Sequence, residues 1–167
     1  MRIALIGYGK MGKAIESVAI AKGHEIVVKI DLENAADLNR EQLAKADVAI
    51  EFTGPHSAFT NVMKCLELGI PLVCGSTGWL EHWSEARQYC EKQNGTLIYA
   101  SNYSIGVNLF FELNTCLAKL MNNHTNYTVS LEEIHHTQKK DAPSGTAITL
   151  AEQVLQHIKT KKEWVNQ

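Results

Sequence analysis

Proline is scarce in this sequence, 3 in 167 residues, and glycine is modest at 11, which excludes the collagenous and low-complexity classes. Cysteine is sparse as well: Cys65, Cys74, Cys90 and Cys116 stand far apart, with no C-x-x-C pair. That spacing builds neither a zinc site nor a dithiol motif, and a chain of this size needs no disulfide framework. Long apolar runs are also missing. Glycines break the N-terminal "MRIALIGYGKMG" before a signal-peptide core could form, so no membrane span or leader is expected and the protein is expected to be cytoplasmic. Neither sign of charge dominates. A net charge of -2 gives no overall attraction for nucleic acid, and the one basic run, "KTKK" at 159–162, reads as a solvated helix end.

What is present is the composition of a globular protein, 45% hydrophobic and 20% charged, long enough for one domain or one domain and part of a second. "RIALI" at 2–6 is a short apolar run, followed by the turn "GYGKMG" and by apolar Met11, Ile15, Val18 and Ala19 on a helical period. Similar runs recur at 25–30, 48–52, 71–75 and 96–100, separated by helical or polar segments. Short hydrophobic strands alternating with helices predict a parallel sheet covered on both faces. The pattern changes near 104–106. Beyond it the periodicity predicts a helix over 107–121, a strand over 126–136 and a helix over 145–159. The expected division is therefore a first domain at 1–105 and the start of an α+β domain at 106–167, incomplete because one strand cannot close a sheet.

"GYGKMG" places Gly7, Gly9 and Gly12 in G-x-G-x-x-G spacing, with Lys10 and Met11 inside it. In a strand-turn-helix setting the first glycine permits the tight turn and the second admits a pyrophosphate. The third lets helix and strand pack closely, and the helix N-terminus offers its amides to the phosphates. Asp31 ends the next strand, where a ribose 2'-hydroxyl partner belongs. These features specify a Rossmann-type doubly wound parallel sheet that binds a dinucleotide. Leu32, Glu33 and Asn34 follow Asp31, so no arginine awaits a 2'-phosphate. NADH is expected over NADPH, with NADPH still usable. Further loops fall at the carboxyl ends of strands, where ligands bind in such sheets. Their candidate contacts are Thr53, then Gly75, Ser76 and Thr77, then Ser101, Asn102, Tyr103 and Ser104.

The densest group of titratable residues is "EEIHHTQKKDAPSGTA" at 132–147. On a strand, Glu133 and His135 share one side while Glu132, Ile134 and His136 share the other. Adjacent histidines diverge, so no metal site is expected. Ser144 is a natural N-cap, and the Gly145 and Thr146 amides then lie at a helix N-terminus beside Lys139 and Lys140. That arrangement is open to two readings, a carboxylate site or ordinary capping.

The same stretch closely resembles the H-H-x-x-K-x-D-A-P-S-G-T-A signature of the dihydrodipicolinate reductases, now called 4-hydroxy-tetrahydrodipicolinate reductases, of bacterial lysine and diaminopimelate biosynthesis. "GYGKMG", "GSTGW" and "ASNYSIGVN" resemble that family's other motifs in the expected order. The resemblance implies a nicotinamide-dependent reductase acting on a small cyclic dicarboxylate, with His135 as proton donor and Lys139 as the assisting cation. His136, Lys139, Ser144, Gly145 and Thr146 would contact the substrate. A family-like homotetramer is implied as well, built on strands that family members add beyond this sequence. Another two-domain amino-acid dehydrogenase, or a non-catalytic dinucleotide-binding module, would share the glycine turn without the 132–147 signature.

Overall fold

The computed structural model describes residues 1–137 and 142–166. The chain divides into two compact units, Met1–Ser101 and Asn102–Gln167. Among the described residues no helix is long and apolar enough to cross a membrane.

The first unit is built on five parallel strands: β1 Arg2–Ile6, β2 Glu25–Ile30, β3 Val48–Glu51, β4 Leu72–Cys74 and β5 Leu97–Tyr99. Their spatial order is β2-β1-β3-β4-β5. Each expected strand is present, and three of them are shortened at their ends. The apolar run of β1 serves both faces at once. Ile3 and Leu5 pack to one side with Ala19, while Ala4 and Ile6 join a larger cluster on the other, the burial a central parallel strand demands.

Helix α1, Lys10–Ala21, covers the first of these faces. Helices α2 Arg40–Leu43, α3 Pro55–Glu67 and α4 Trp83–Lys92 contribute Leu43, Ala58, Val62, Cys65, Leu66 and Ala86 to the other. The sheet is therefore wound on both sides, as the α/β pattern requires. Met11 and Val18 of α1 are exposed rather than buried. The expected Ile15 and Ala19 do face inward, joined by Gly12, whose lack of a side chain lets the helix start close to the turn before it.

Trp79 anchors the opposite end of the larger cluster. It is 1% exposed and meets Phe59, Trp83 and Tyr99 ring to ring, with centroids 5.6 to 6.5 Å apart. Burial of a side chain of this size stabilises by about 3 kcal/mol.

The second unit carries α5, Ile105–Met121, and α6, Gly145–His157. Ser104 caps α5 by accepting from the Val107 N–H at 3.5 Å, so the helix begins two residues earlier than its apolar period suggests. Asn114 ties the pair together, its Nδ2 donating to the Leu150 carbonyl at 3.1 Å and to Gln153 Oε1 at 2.9 Å. The strand expected over 126–136 is not formed: the segment carries neither strand nor helix. A strand exists only when a neighbour completes its ladder, and the described residues of this unit hold no other strand. Among the described residues the second unit therefore holds two helices and irregular segments, without the expected strand.

Candidate active site

The sheet reverses direction of winding between β1 and β3, since β1 leads outward to β2 and β3 leads the other way to β4. Ligands of open α/β sheets bind in the crevice at such a point, beyond the strand carboxyl ends. The three glycines of the turn there play different parts. Gly7 adopts φ +92°, and a Cβ on it would lie 2.1 Å from the Phe52 carbonyl oxygen; one on Gly12 would lie 2.2 Å from the Gly7 oxygen. Both are fixed by the protein's own packing. A Cβ on Gly9 would meet nothing within 4 Å, so no protein contact calls for glycine there, and the space fits a ligand approaching the backbone. Behind it α1 starts with no side-chain cap and no acidic residue in its first turn. Its leading amides at Lys10 and Met11 suit a pyrophosphate.

Asp31 lies exposed just past β2, accepting from the Leu32 N–H at 2.9 Å, while its own N–H donates to Asn34 Oδ1 at 2.8 Å. The carboxylate thus caps a short 3-10 turn, Leu32–Asp37. Across the turn from it, Tyr8 donates to Glu16, which pairs with Lys29 at 2.6 Å. The Lys29 ammonium, followed by the Tyr8 hydroxyl, holds the Glu16 carboxyl below the usual carboxylate range.

Thr53 and Ser76 are brought together on one buried carboxyl group. The Thr53 N–H donates to Glu51 Oε1 at 3.1 Å and to Ser76 Oγ at 2.8 Å, and Ser76 Oγ donates to Glu51 Oε1 at 3.0 Å. Gly75 is held against the Phe52 ring, which a Cβ would strike at 2.1 Å. Thr77 is exposed and Ser101 half-buried at the end of the unit. Burial first, and the Glu51 charge second, push the Cys65 thiol up to about 12 and the Cys74 thiol upward as well, so neither serves as a nucleophile.

In the second unit Asn102 and Ser104 set the start of α5, with Asn102 Oδ1 accepting from the Ser104 N–H at 2.8 Å. Tyr103 beside them is exposed. Further along, Glu133 gathers three groups. His135 Nε2 lies 2.8 Å from Glu133 Oε2, the Ser144 N–H donates to Glu133 Oε1 at 2.8 Å, and the Ser144 hydroxyl donates to Oε2. The Ser144 hydroxyl, then His135, then the Ser144 N–H lower the Glu133 carboxyl to about 2. The pairing of residues 133 and 135 on one side holds even without a ladder. Ser144 Oγ also accepts from the Ala147 N–H at 3.1 Å and so caps α6. Gly145 and Thr146 are the first two residues of α6, directly after the Ser144 cap. His136 is exposed. Lys139 lies outside the described residues. Among the described residues no group of three His, Cys, Asp or Glu side chains is arranged to hold a metal ion.

Comparison with known families decides what this combination belongs to. Residues 1–103 match the family described as dihydrodipicolinate reductase, N-terminus, and residues 106–166 match dihydrodipicolinate reductase, C-terminus. The chain belongs to the dihydrodipicolinate reductase family. It is 50% identical over 98% of its length to the 4-hydroxy-tetrahydrodipicolinate reductase of Christiangramia forsetii, and spans 68% of that relative. It is 32% identical to the reductase of the same name from Neisseria meningitidis serogroup C, over 82% of this chain and 49% of that one. A solved dipicolinate-bound dihydrodipicolinate reductase from Paenisporosarcina sp. TG-14 superposes with a TM-score of 0.74 at 29% identity, covering 99% of this chain and 69% of its own. For this reductase family member a nicotinamide cofactor follows from the N-terminal match, and the fold is the Rossmann-like α/β sheet already described. The reading as a non-catalytic module is not favoured.

Two residues of the reductase escaped the sequence reading. Glu133 stands two positions before His135, and the alternation there groups the two, but nothing local distinguishes it from Glu132. Glu51 carried a clearer signal, a charged residue inside the apolar run "VAIEF": a carboxyl group in a strand buried on both faces needs partners.

Proposed function

We propose that the chain reduces 4-hydroxy-tetrahydrodipicolinate (dihydrodipicolinate) to tetrahydrodipicolinate, with NADH preferred over NADPH, and that His135 is the proton donor. The observation that carries the reading is the 2.8 Å contact of His135 with Glu133, whose carboxylate also holds Ser144, the cap of the helix that follows. Bound in the β1–β3 crevice, the nicotinamide supplies a hydride. Gly7, Gly9, Lys10, Met11 and Gly12 form the pyrophosphate cradle, and Asp31 meets the adenosine ribose. Thr53, Gly75, Ser76, Thr77, Ser101, Asn102, Tyr103 and Ser104 complete the set of cofactor contacts.

Loss of the 4-hydroxyl as water gives the conjugated dihydrodipicolinate ring; a hydride added to its conjugated carbon would leave negative charge on the neighbouring carbon, and that carbon must take a proton. His135, with one ring nitrogen held by Glu133, presents the other to the substrate. By the family motif, Lys139 is the cation that assists protonation and binding, and His136 is a substrate contact. Gly145 and Thr146 offer N–H donors to a carboxylate at the start of α6. The contribution of Ser144 is to hold those amides in place, since its own hydroxyl is bonded to Glu133 and the Ala147 N–H. A carboxylate ligand is the shared element with the dipicolinate-bound relative. The location is read as cytoplasmic; a family-like homotetramer depends on strands that family members add beyond this sequence, and sedimentation would check whether the chain assembles without them.

The site assignment is tested by the pair His135→Gln and Lys139→Ala. Each is expected to lower kcat by about a hundredfold or more with NADH affinity retained; unchanged turnover in both would overturn it.

A further inference from the structure

Glu51 is the last residue of β3 and fully buried. Its two carboxyl oxygens accept from Thr53 N–H, the Thr53 hydroxyl, the Ser76 hydroxyl and the Cys74 thiol, the last at 3.0 Å. Three of these donors belong to the loops that follow β3 and β4, the two loops on the wound-outward side of the crevice. The grip extends further on both sides. Thr53 Oγ1 also accepts from Ser57 Oγ at 3.0 Å and Asn61 Nδ2 at 3.3 Å, on the first turns of α3. The Ser76 carbonyl accepts from Trp79 Nε1 at 2.8 Å. The main chain adds a bond from the Gly75 N–H to the Glu51 carbonyl at 2.9 Å.

We propose that Glu51 is a positioning residue, presetting the Thr53 and Ser76 loops in the geometry that receives the nicotinamide cofactor. The physical case is a comparison of costs. Enclosing a carboxyl group is costly unless donors surround it, whereas with an apolar side chain of similar volume the Thr53 N–H would still have Ser76 Oγ as its acceptor at 2.8 Å. Packing alone therefore does not call for a glutamate here. What the carboxyl group alone supplies is an acceptor shared by two loops that are separate in sequence, so that neither has to be ordered when the ligand arrives. The inference rests on the assignment of Thr53 and Ser76 to the cofactor.

Glu51→Met keeps the volume and removes the acceptors, while Glu51→Gln keeps an acceptor oxygen where Thr53 and Ser76 converge. NADH affinity is measured by fluorescence on the whole chain, beside thermal melting. The expected result is that Glu51→Met melts cooperatively near the parent temperature yet binds NADH at least about tenfold more weakly, and that Glu51→Gln recovers most of the affinity. A folded Glu51→Met with parental affinity overturns the proposal. If that variant does not fold, amide exchange in the unmutated protein decides. A Thr53 N–H protected before NADH is added supports presetting, whereas one that exchanges like an open loop until NADH arrives overturns it. Failure of the unmutated chain to bind NADH at all would count against the cofactor assignment instead, and the exchange measurement would still decide whether Glu51 holds the loops.

Discussion

His135 Nε2 lies 2.8 Å from Glu133 Oε2, and the same carboxylate accepts from the backbone N–H and hydroxyl of Ser144. One side chain therefore orients the proposed acid and fixes the first turn of the helix proposed to bind the substrate. Glu133→Gln keeps a hydrogen-bonding group of the same shape but removes the charge. We expect it to lower kcat by about tenfold, less than His135→Gln, with little change in NADH affinity. Steady-state kinetics with each substrate varied in turn would show this, and an effect confined to NADH binding would contradict it.

The Glu133 carboxyl also sets a pH dependence. Its folded value, about 2, lies below the unfolded value of 4.5. Its contribution is therefore complete above 4.5 and is lost as pH falls from there toward 2. Over that window the melting temperature of the parent protein is expected to fall faster than that of Glu133→Gln. Parallel curves would show that Glu133 does not hold the start of α6.

The glycines of the first turn are expected to separate stability from binding. Gly7→Ala forces a side chain into positive φ and onto the Phe52 carbonyl oxygen, and should cost about 2 kcal/mol or more. Gly9→Ala, at φ -78° and facing open space, should change stability by less than about 0.5 kcal/mol. It should nonetheless weaken NADH binding by about tenfold, because the added methyl occupies the space where the pyrophosphate approaches. Denaturant melts paired with NADH titrations test both, and a Gly9→Ala variant with normal affinity would remove the pyrophosphate assignment.

Asp31→Asn retains the oxygen that caps the 3-10 turn and removes the negative charge. The ratio of kcat/KM for NADPH to that for NADH is expected to rise by about tenfold, since a carboxylate pairs with a ribose hydroxyl and repels a 2'-phosphate. A parent enzyme that already prefers NADPH would refute the cofactor preference.

Much of the first unit was legible because its signals are local. Each β-strand is an apolar run bounded by glycine or polar turns, and Gly7, Gly9 and Gly12 announce the turn by their spacing. In α1 the apolar period finds Ile15 and Ala19, which pack inward, but also takes in the exposed Met11 and Val18 and passes over buried Gly12, which carries no hydrophobic signal. Residues 126–136 read as a strand from β-branched and alternating side chains, but pairing depends on partners outside the segment. Glu51 and Glu133 were illegible as positioning groups for the same reason. Their significance lies in Ser76 and Ser144, residues 25 and 11 positions away, and no local pattern records that closure.

The most direct measurement is the fall in NADH absorbance when the 167-residue chain meets freshly generated dihydrodipicolinate precursor, against a blank lacking that substrate. The reductase account predicts oxidation that depends on the substrate and is strongly reduced in His135→Gln. A chain that binds NADH but oxidises none of it in the presence of that substrate would contradict it.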